Sequence, residues 1–173
     1  MVLIREARTS DAGGMGKVNV ESWQTSYQGI IDNRFLQQLS VEDKKQKWKN
    51  IIQAGDSIIL VAVDTDDKVV GYITISTKES EASAGTDQVT ALYLLEDWQG
   101  KGIGKALLLE GFKRFLDLSV HTVQVEVLAE NRSRLFYERL GAELVEKKEI
   151  QIAGDVLDLL VYEWKDISKI VSV

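Results

Sequence analysis

Cysteine and proline are absent from this chain, and histidine occurs once, as His121. Without cysteine there are no disulfides and no thiolate metal ligands, and the redox compartment stays open. A single histidine argues against a histidine-built metal site and a Ser-His-Asp triad, so no metal is expected. Average usage predicts about eight or nine prolines in a chain of this length. Turns must therefore be built by Gly, Asn and Asp, and no prolyl isomerisation should slow folding. Long apolar runs are missing too. No segment reaches the ~18 residues of a membrane span, and the start "MVLIREARTSD" lacks the apolar stretch of a signal peptide. A soluble cytoplasmic protein is the expectation. Positive charge is also short: 21 Lys and Arg stand against 27 Asp and Glu, a net charge of −6. That balance argues against nucleic acid as the main partner. It suits a cationic substrate, but many acidic proteins are merely well solvated.

What is present is ordinary for a globular protein, with 45% hydrophobic and 28% charged residues in 173. The chain reads as one domain, residues 1–173, able to bury roughly 70% of its unfolded surface. "LIREAR" (3–8) reads as a strand, with "TSD" (9–11) offering helix caps. The helix that follows is weak at Gly13, Gly14 and Gly16, a flexible start, and firmer through "VNVESWQTSYQ". A helical region begins at Asp32–Asn33 and continues through "SVEDKKQKWKNIIQ", with Val41, Trp48, Ile51 and Ile52 as its apolar stripe. Lys44, Lys45, Lys47 and Lys49 read as its solvated face.

"SIILVAV" (57–63) and "KVVGYITIST" (68–77) form a hairpin, "ESEASAGTD" (79–87) a polar loop, and "QVTALYLL" (88–95) a third strand. "KALLLEGFKRFLDL" is a helix with Leu107, Leu108, Phe112, Phe115 and Leu116 at core spacing. "HTVQVEVLA" (121–129) returns after it, so it should lie parallel to 88–95. "NRSRLFYERL" is a helix capped by Asn131 and ended by Gly141, and the chain closes with a hairpin. The predicted class is α+β: a mixed, mostly antiparallel sheet with one parallel strand pair and helices on both faces.

The stretch "WQGKGIGKALL" carries the chemistry. It sets Gly100, Gly102, Gly104, Lys101 and Lys105 at the start of a helix. Glycine disfavours helix, and lysine opposes the positive end of its dipole. A Walker A loop does not fit, because Lys105 stands five residues after Gly100 and Ala106 follows it. The dinucleotide fingerprint fails as well, with Lys105 or Leu107 where its third glycine belongs. A nucleotide-binding protein is thereby disfavoured. Free amides at a helix start bind anions, and glycines let a pyrophosphate approach them. Arg132 and Arg134 put cations in the first turn of the next helix, also after a parallel strand. Two such starts point to one shared anion site at the strands' carboxyl ends.

At these residues the chain resembles the GCN5-related N-acetyltransferase superfamily. Gln99-x-x-Gly102-x-Gly104 matches its acetyl-coenzyme A motif within "ALYLLEDWQGKGIGKALL". "VLAENRSRLFYERLGA" matches its next motif, with Asn131 and Tyr137 in place. "IREARTSDA" and "SWQTSYQGIIDNRFLQQLS" are similar to the opening of one large branch. The resemblance covers essentially the whole chain. It implies direct attack of an amine on the thioester of acetyl-coenzyme A within a ternary complex, with acetyl-coenzyme A as co-substrate. The amides of Gln99, Gly100, Lys101, Gly102, Ile103, Gly104 and Lys105 would hold the pyrophosphate. The backbone of Leu92, Tyr93 and Leu94 would pair with the pantetheine arm, and the Leu94 amide would polarise the thioester carbonyl. The two parallel strands should splay to admit that arm. Asn131, Arg134 and Phe136 would contact the cofactor, and Tyr137 would also protonate the leaving thiolate.

Ser22, Trp23 and Tyr27 are the expected lining of the acceptor pocket, ahead of Trp164; His121 is expected to be structural. The resemblance places a carboxylate base at Gln88 in some relatives, beside Asp87, and glutamine cannot accept a proton. Glu96 and Asp97 lie nearer the loop. That gap leaves a second reading open, a non-catalytic acyl-coenzyme A-binding module used in sensing or assembly. Members of this family often dimerise, so a homodimer is carried as an expectation.

Overall fold

The computed structural model describes residues 1–80 and 85–172. Seven strands form one sheet in the order β1-β2-β3-β4-β5-β7-β6. In chain order they are β1 (Leu3–Glu6), β2 (Ile58–Val63), β3 (Val69–Ser76), β4 (Gln88–Leu94), β5 (Val123–Leu128), β6 (Glu143–Ile152) and β7 (Asp155–Trp164). All neighbours are antiparallel except β4 and β5, which are parallel. Part of the expected polar loop, residues 81–84, lies outside the described residues.

Helices cover both faces, as expected. On one face α1 (Ala12–Ser26) and α3 (Val41–Ala54) pack Met15, Val18 and Trp48 against Val61 and Tyr72 of the sheet. On the other, α4 (Ile103–Asp117) buries Leu107, Leu108, Phe112 and Phe115 against Ile73, Val89 and Val125. The period-3.6 spacing in "KALLLEGFKRFLDL" is what drives that burial. Tyr137 of α5 (Ser133–Arg139) joins the same cluster. A short α6 (Ser168–Val171), not foreseen, follows β7 and rests against α4.

Three local expectations are corrected. The glycines of α1 are not a flexible start: they are contact points. A Cβ on Gly14 would come 2.9 Å from Val69, and one on Gly16 would come 2.9 Å from the Val41 carbonyl. Residues 9–11 form a 3₁₀ turn, and of the expected caps Asp11 takes the N-cap position of α1, but its carboxylate accepts from the Arg8 amide and the Arg5 guanidinium instead of capping an α1 amide. The helical region from Asp32 is broken in two. Asp32 caps α2 (Asn33–Gln37), and Ser40 Oγ accepts from the Asp43 amide at 3.2 Å to start α3. Val41 is consequently exposed at the first turn of α3, off the expected stripe, and Lys44 lies against the Trp23 ring at 6.0 Å.

The β6–β7 hairpin turns at Ala153 and Gly154, both with positive φ, which is the geometry that matches strand twist. At the centre of the sheet the ladder opens. β4 and β5 pair only through Gln88 with Gln124 and Val89 with Val125. Beyond that point the strands separate, as the family resemblance implied.

Candidate functional site

The gap between β4 and β5 is the throat of a cleft of about 1230 Å³. The pairing pattern decides which groups face it. Leu95 N–H donates to Val70 O at 2.9 Å, so that residue points its backbone toward β3. Alternation along an antiparallel ladder then turns the amides and carbonyls of Leu94 and Leu92 the other way, toward the missing part of β5. The Leu94 carbonyl is taken by two side chains, Ser22 Oγ and Gln99 Nε2, each at 3.1 Å. The Leu94 side chain lies over Gly71, where a Cβ would strike it, and approaches Gly104.

After β4 a 3₁₀ turn (Glu96–Trp98) leads into the glycine loop. Gly100 and Gly102 precede α4 instead of sitting within it, with φ of 71° and 81° and open space for 4 Å around the point where a Cβ would stand. This is the left-handed region, which glycine enters without strain. Gly102 is the N-cap and has no side-chain cap bond. The first intrahelical bond runs from Ala106 N to Gly102 O, so the amides of Ile103, Gly104 and Lys105 begin the helix as its unpaired donors. Gly104 is the one loop glycine inside α4, and a Cβ there would meet Leu94 at 3.4 Å and Phe136 at 3.6 Å.

Most residues expected at the site line this cleft: Leu92, Tyr93, Leu94, Gln99, Gly100, Gly102, Gly104 and Lys105 from the cofactor side. Asn131, Phe136 and Tyr137 join them from the β5–α5 region, and Ser22, Trp23 and Tyr27 from α1 and its end. Three send their side chains elsewhere, although the role expected of Lys101 and Ile103 rests on their amides. Lys101 sets its ammonium over the Trp98 ring at 5.2 Å, Ile103 is buried in the core, and Arg134 pairs with Glu138 at 3.4 Å. Arg132 lines the cleft in place of Arg134. Trp164 is in the core, its ring 4.9 Å from Phe112 and its Nε1 donating to Leu140 O. His121 accepts the Ile167 amide on its carbonyl at 2.8 Å, a structural position.

Asn131 Oδ1 accepts from Ser133 N–H at 2.9 Å, capping the α5 start while its residue faces the cleft. Tyr137 is 6% exposed, and burial pushes its hydroxyl above the ordinary tyrosine range. Tyr27 and Tyr93 bring their hydroxyls to 3.4 Å, and burial raises both. The groups thus lie where a proton donor, an oxyanion-polarising amide and an acceptor wall could meet.

Gln88 sits at the closed end of the strand pair and is not among the lining residues. Asp87 is engaged in its own loop, accepting from Lys78 N at 2.8 Å. The carboxylates that do line the cleft are Glu96, Glu126 and Glu130. Glu126 and Glu130 were missed from the sequence. Alternation in "VQVEVL" was the available signal: buried Val125 and Val127 force Glu126 onto the opposite face. Among the described residues, no cluster of three or more His, Cys, Asp or Glu could hold a metal, and no helix is long and apolar enough to cross a membrane.

Comparison with known proteins agrees with this geometry. The family model "Acetyltransferase (GNAT) family" matches residues 20–142. An uncharacterised N-acetyltransferase, YuaI of Bacillus subtilis, is 33% identical over 168 residues, covering 97% of this chain and 95% of that protein. Spermidine N(1)-acetyltransferase of Thermoplasma acidophilum is 30% identical over 114 residues, 64% of this chain and 68% of that one. Among solved structures, the PaiA N-acetyltransferase of T. acidophilum in complex with coenzyme A superposes with a TM-score of 0.71 at 24% identity, covering 92% of this chain and 98% of that one. YncA of Salmonella typhimurium with acetyl-coenzyme A gives 0.70 at 18%, covering 95% and 93%. The splayed strand pair, the glycine loop and these relatives agree, and the chain belongs to the GNAT family of N-acetyltransferases.

Proposed function

We propose that this chain transfers the acetyl group of acetyl-coenzyme A to a primary amine of a small molecule or peptide, by direct attack in a ternary complex. The observation that carries this is the orientation of Leu92 and Leu94. The Leu92 backbone groups and the Leu94 amide face an open slot where β5 should be, beside a helix start with unpaired amides, while the Leu94 carbonyl is held by Ser22 and Gln99. An amide-rich pantetheine arm would complete the ladder as an added strand, and a pyrophosphate would satisfy the donors at Ile103, Gly104 and Lys105.

In this reading Lys105 and Arg132 supply counter-charge at the cleft. The Leu94 amide donates to the thioester oxygen as negative charge develops on it, the term that usually contributes most. Tyr137 gives its proton to the departing sulfur. Its raised pKa keeps it protonated until that moment. Ser22, Trp23 and Tyr27 line the acceptor pocket together with Leu128, Leu159 and Ile150, the apolar residues gathered in one cluster.

Calorimetry with coenzyme A, followed by thiol release from acetyl-coenzyme A across an amine panel, tests the reading. Spermidine leads the panel because of the Thermoplasma relative, followed by putrescine, lysine and a peptide amino terminus. Binding with turnover supports acetyl transfer. Binding without turnover favours a coenzyme-binding module, and a flat titration rejects both.

A further inference from the structure

One end of the cleft is apolar, and the closing hairpin builds it. In β6 residues 143–149 are exposed, and only Ile150 and Ile152, two apart and so on one face, are half-buried. Ile150 pairs with Leu157, and Leu159 two residues on pairs with Leu128, the last residue of β5, so these side chains share that face. Trp23, Tyr27 and Ile30, from α1 and the segment after it, join them in one apolar cluster. The cluster is not sealed: Trp23, Ile30, Ile150 and Ile152 are only partly buried, and all four line the cleft. Resting on the acetyl-transfer reading, we infer that the acceptor is a monoamine carrying one aromatic or branched-alkyl group, which this end receives, and not a polyamine.

The distribution of charge carries the second half of that statement. Among the described residues, the charged ones lining the cleft are Glu96, Lys105, Glu126, Glu130 and Arg132. Glu96 lies in the turn before the glycine loop, Lys105 in α4, and the other three in β5 and the turn after it. None comes from the hairpin or from the segment 22–30. On the hairpin face itself Lys148 stands opposite Leu159, a cation already paired with Glu126 at 3.1 Å. Asp155, opposite Ile152 at the turn, is exposed and outside the lining. A second ammonium reaching this end would exchange water for carbon and meet Lys148, a costly burial. An apolar group gains by the same move.

The other half rests on the rings. Trp23 and Tyr27 stand edge to face at 4.9 Å and 77°, the arrangement a third ring extends well. Tyr27 carries its hydroxyl to 3.4 Å from that of Tyr93, beside Leu94 on β4. The pocket is thus polar toward the thioester slot and apolar toward the hairpin, matching the two ends of such an amine. The transfer is unaltered: the neutral amine forms the C–N bond, the C–S bond breaks, and sulfur leaves as a thiol while nitrogen gives up one proton.

The test uses the full chain, coenzyme A calorimetry and thiol release from acetyl-coenzyme A with 2-phenylethylamine, 3-methylbutylamine, putrescine and spermidine. The first two are expected to show kcat/KM about 10- to 100-fold above the last two, the range for burying one such group. Ile150→Glu, on the edge strand, should cut the 2-phenylethylamine value at least tenfold and raise that of putrescine, with coenzyme A affinity kept. The milder Ile150→Ala should raise the 2-phenylethylamine KM several-fold and leave the putrescine KM as it was, a readout that survives a glutamate variant unable to fold. Putrescine or spermidine matching the apolar amines overturns the inference. So does an Ile150→Ala variant that changes all four amines alike, since that marks a packing role. Coenzyme A binding with none of the four turned over also counts against it, whereas a flat coenzyme A titration instead defeats the acetyl-transfer reading beneath it.

Discussion

Ser22 Oγ donates to the Leu94 carbonyl at 3.1 Å, fastening the helix of the acceptor wall to the end of the strand that faces the thioester slot. The same carbonyl accepts from Gln99 Nε2, so acceptor helix, strand end and glycine loop meet at one oxygen. Ser22→Ala removes one of those two bonds and leaves the carbonyl with Gln99. The stability cost is expected to be about 1 kcal/mol, typical of one hydrogen bond. The amine KM should rise while coenzyme A affinity holds, because the freed element is α1. Denaturant unfolding together with steady-state kinetics in both substrates checks this.

Gly104 separates a folding role from a ligand role. Its site is helical, so leucine there gains about 0.8 kcal/mol of intrinsic helix propensity. The added side chain must nevertheless share space with Leu94 and Phe136 at the cleft wall. Gly104→Leu is expected to raise the coenzyme A Kd more than tenfold, about 1.4 kcal/mol, without a matching fall in Tm. Calorimetry and a melting curve on the same sample decide it. A fall in Tm with unchanged Kd would make this glycine a packing residue only.

Much of this was legible because local pattern and tertiary structure agree. The short, nearly continuous apolar runs "IILVAV" and "VVGYITIS" and the stripe of α4 give the elements, and the order of elements gives the parallel pair. What escaped is set by distant contacts. Nothing near Gly14 in sequence reveals that Val69 will close on it at 2.9 Å. Nothing in "NRSR" tells Arg132 from Arg134; that choice follows from Glu138 one helical turn beyond Arg134. Glu126 escaped for a different reason. A charged residue in a strand reads as solvent-facing, and it becomes a site residue only because β4 leaves the ladder at Val89.

Tyr137→Phe keeps the ring that packs 5.8 Å from Trp164 and removes the hydroxyl alone. The kcat should fall about 10- to 100-fold, the lower part of the range for losing a general acid whose leaving group is a thiol. Coenzyme A affinity and Tm should change little. Burial lifts the Tyr137 pKa above its ordinary 10.0, so the hydroxyl stays protonated throughout the neutral and mildly alkaline range. The pH profile of kcat in wild type should accordingly show no alkaline loss from this group below about pH 10. A full-rate Phe variant would remove Tyr137 from the chemistry.

Acid stability should hinge on Asp11, at the entrance to α1. Its carboxylate takes two bonds from Arg5, at 2.7 and 3.0 Å, and one from the Arg8 amide at 2.7 Å. Burial alone would push its pKa up, but the Arg5 and Arg8 bonds outweigh that and hold it below the ordinary 3.8. A pKa depressed in the folded state means the unfolded chain binds the proton first. The stabilisation is therefore present in full above about pH 5 and drains away as pH falls through 3.8 toward the folded value. Asp11→Asn keeps the shape but leaves Arg5 to the exposed Asp67 carboxylate, at 3.0 Å, in a site where the Arg5 and Asp11 side chains are 13% and 6% exposed. The expected cost at neutral pH is about 3 kcal/mol, as for breaking other buried pairs. Urea unfolding at pH 7 and again near pH 3 gives the measurement. The gap between wild type and variant should narrow at the lower pH, and a gap that stays constant would mean that the Asp11 charge contributes nothing to the difference.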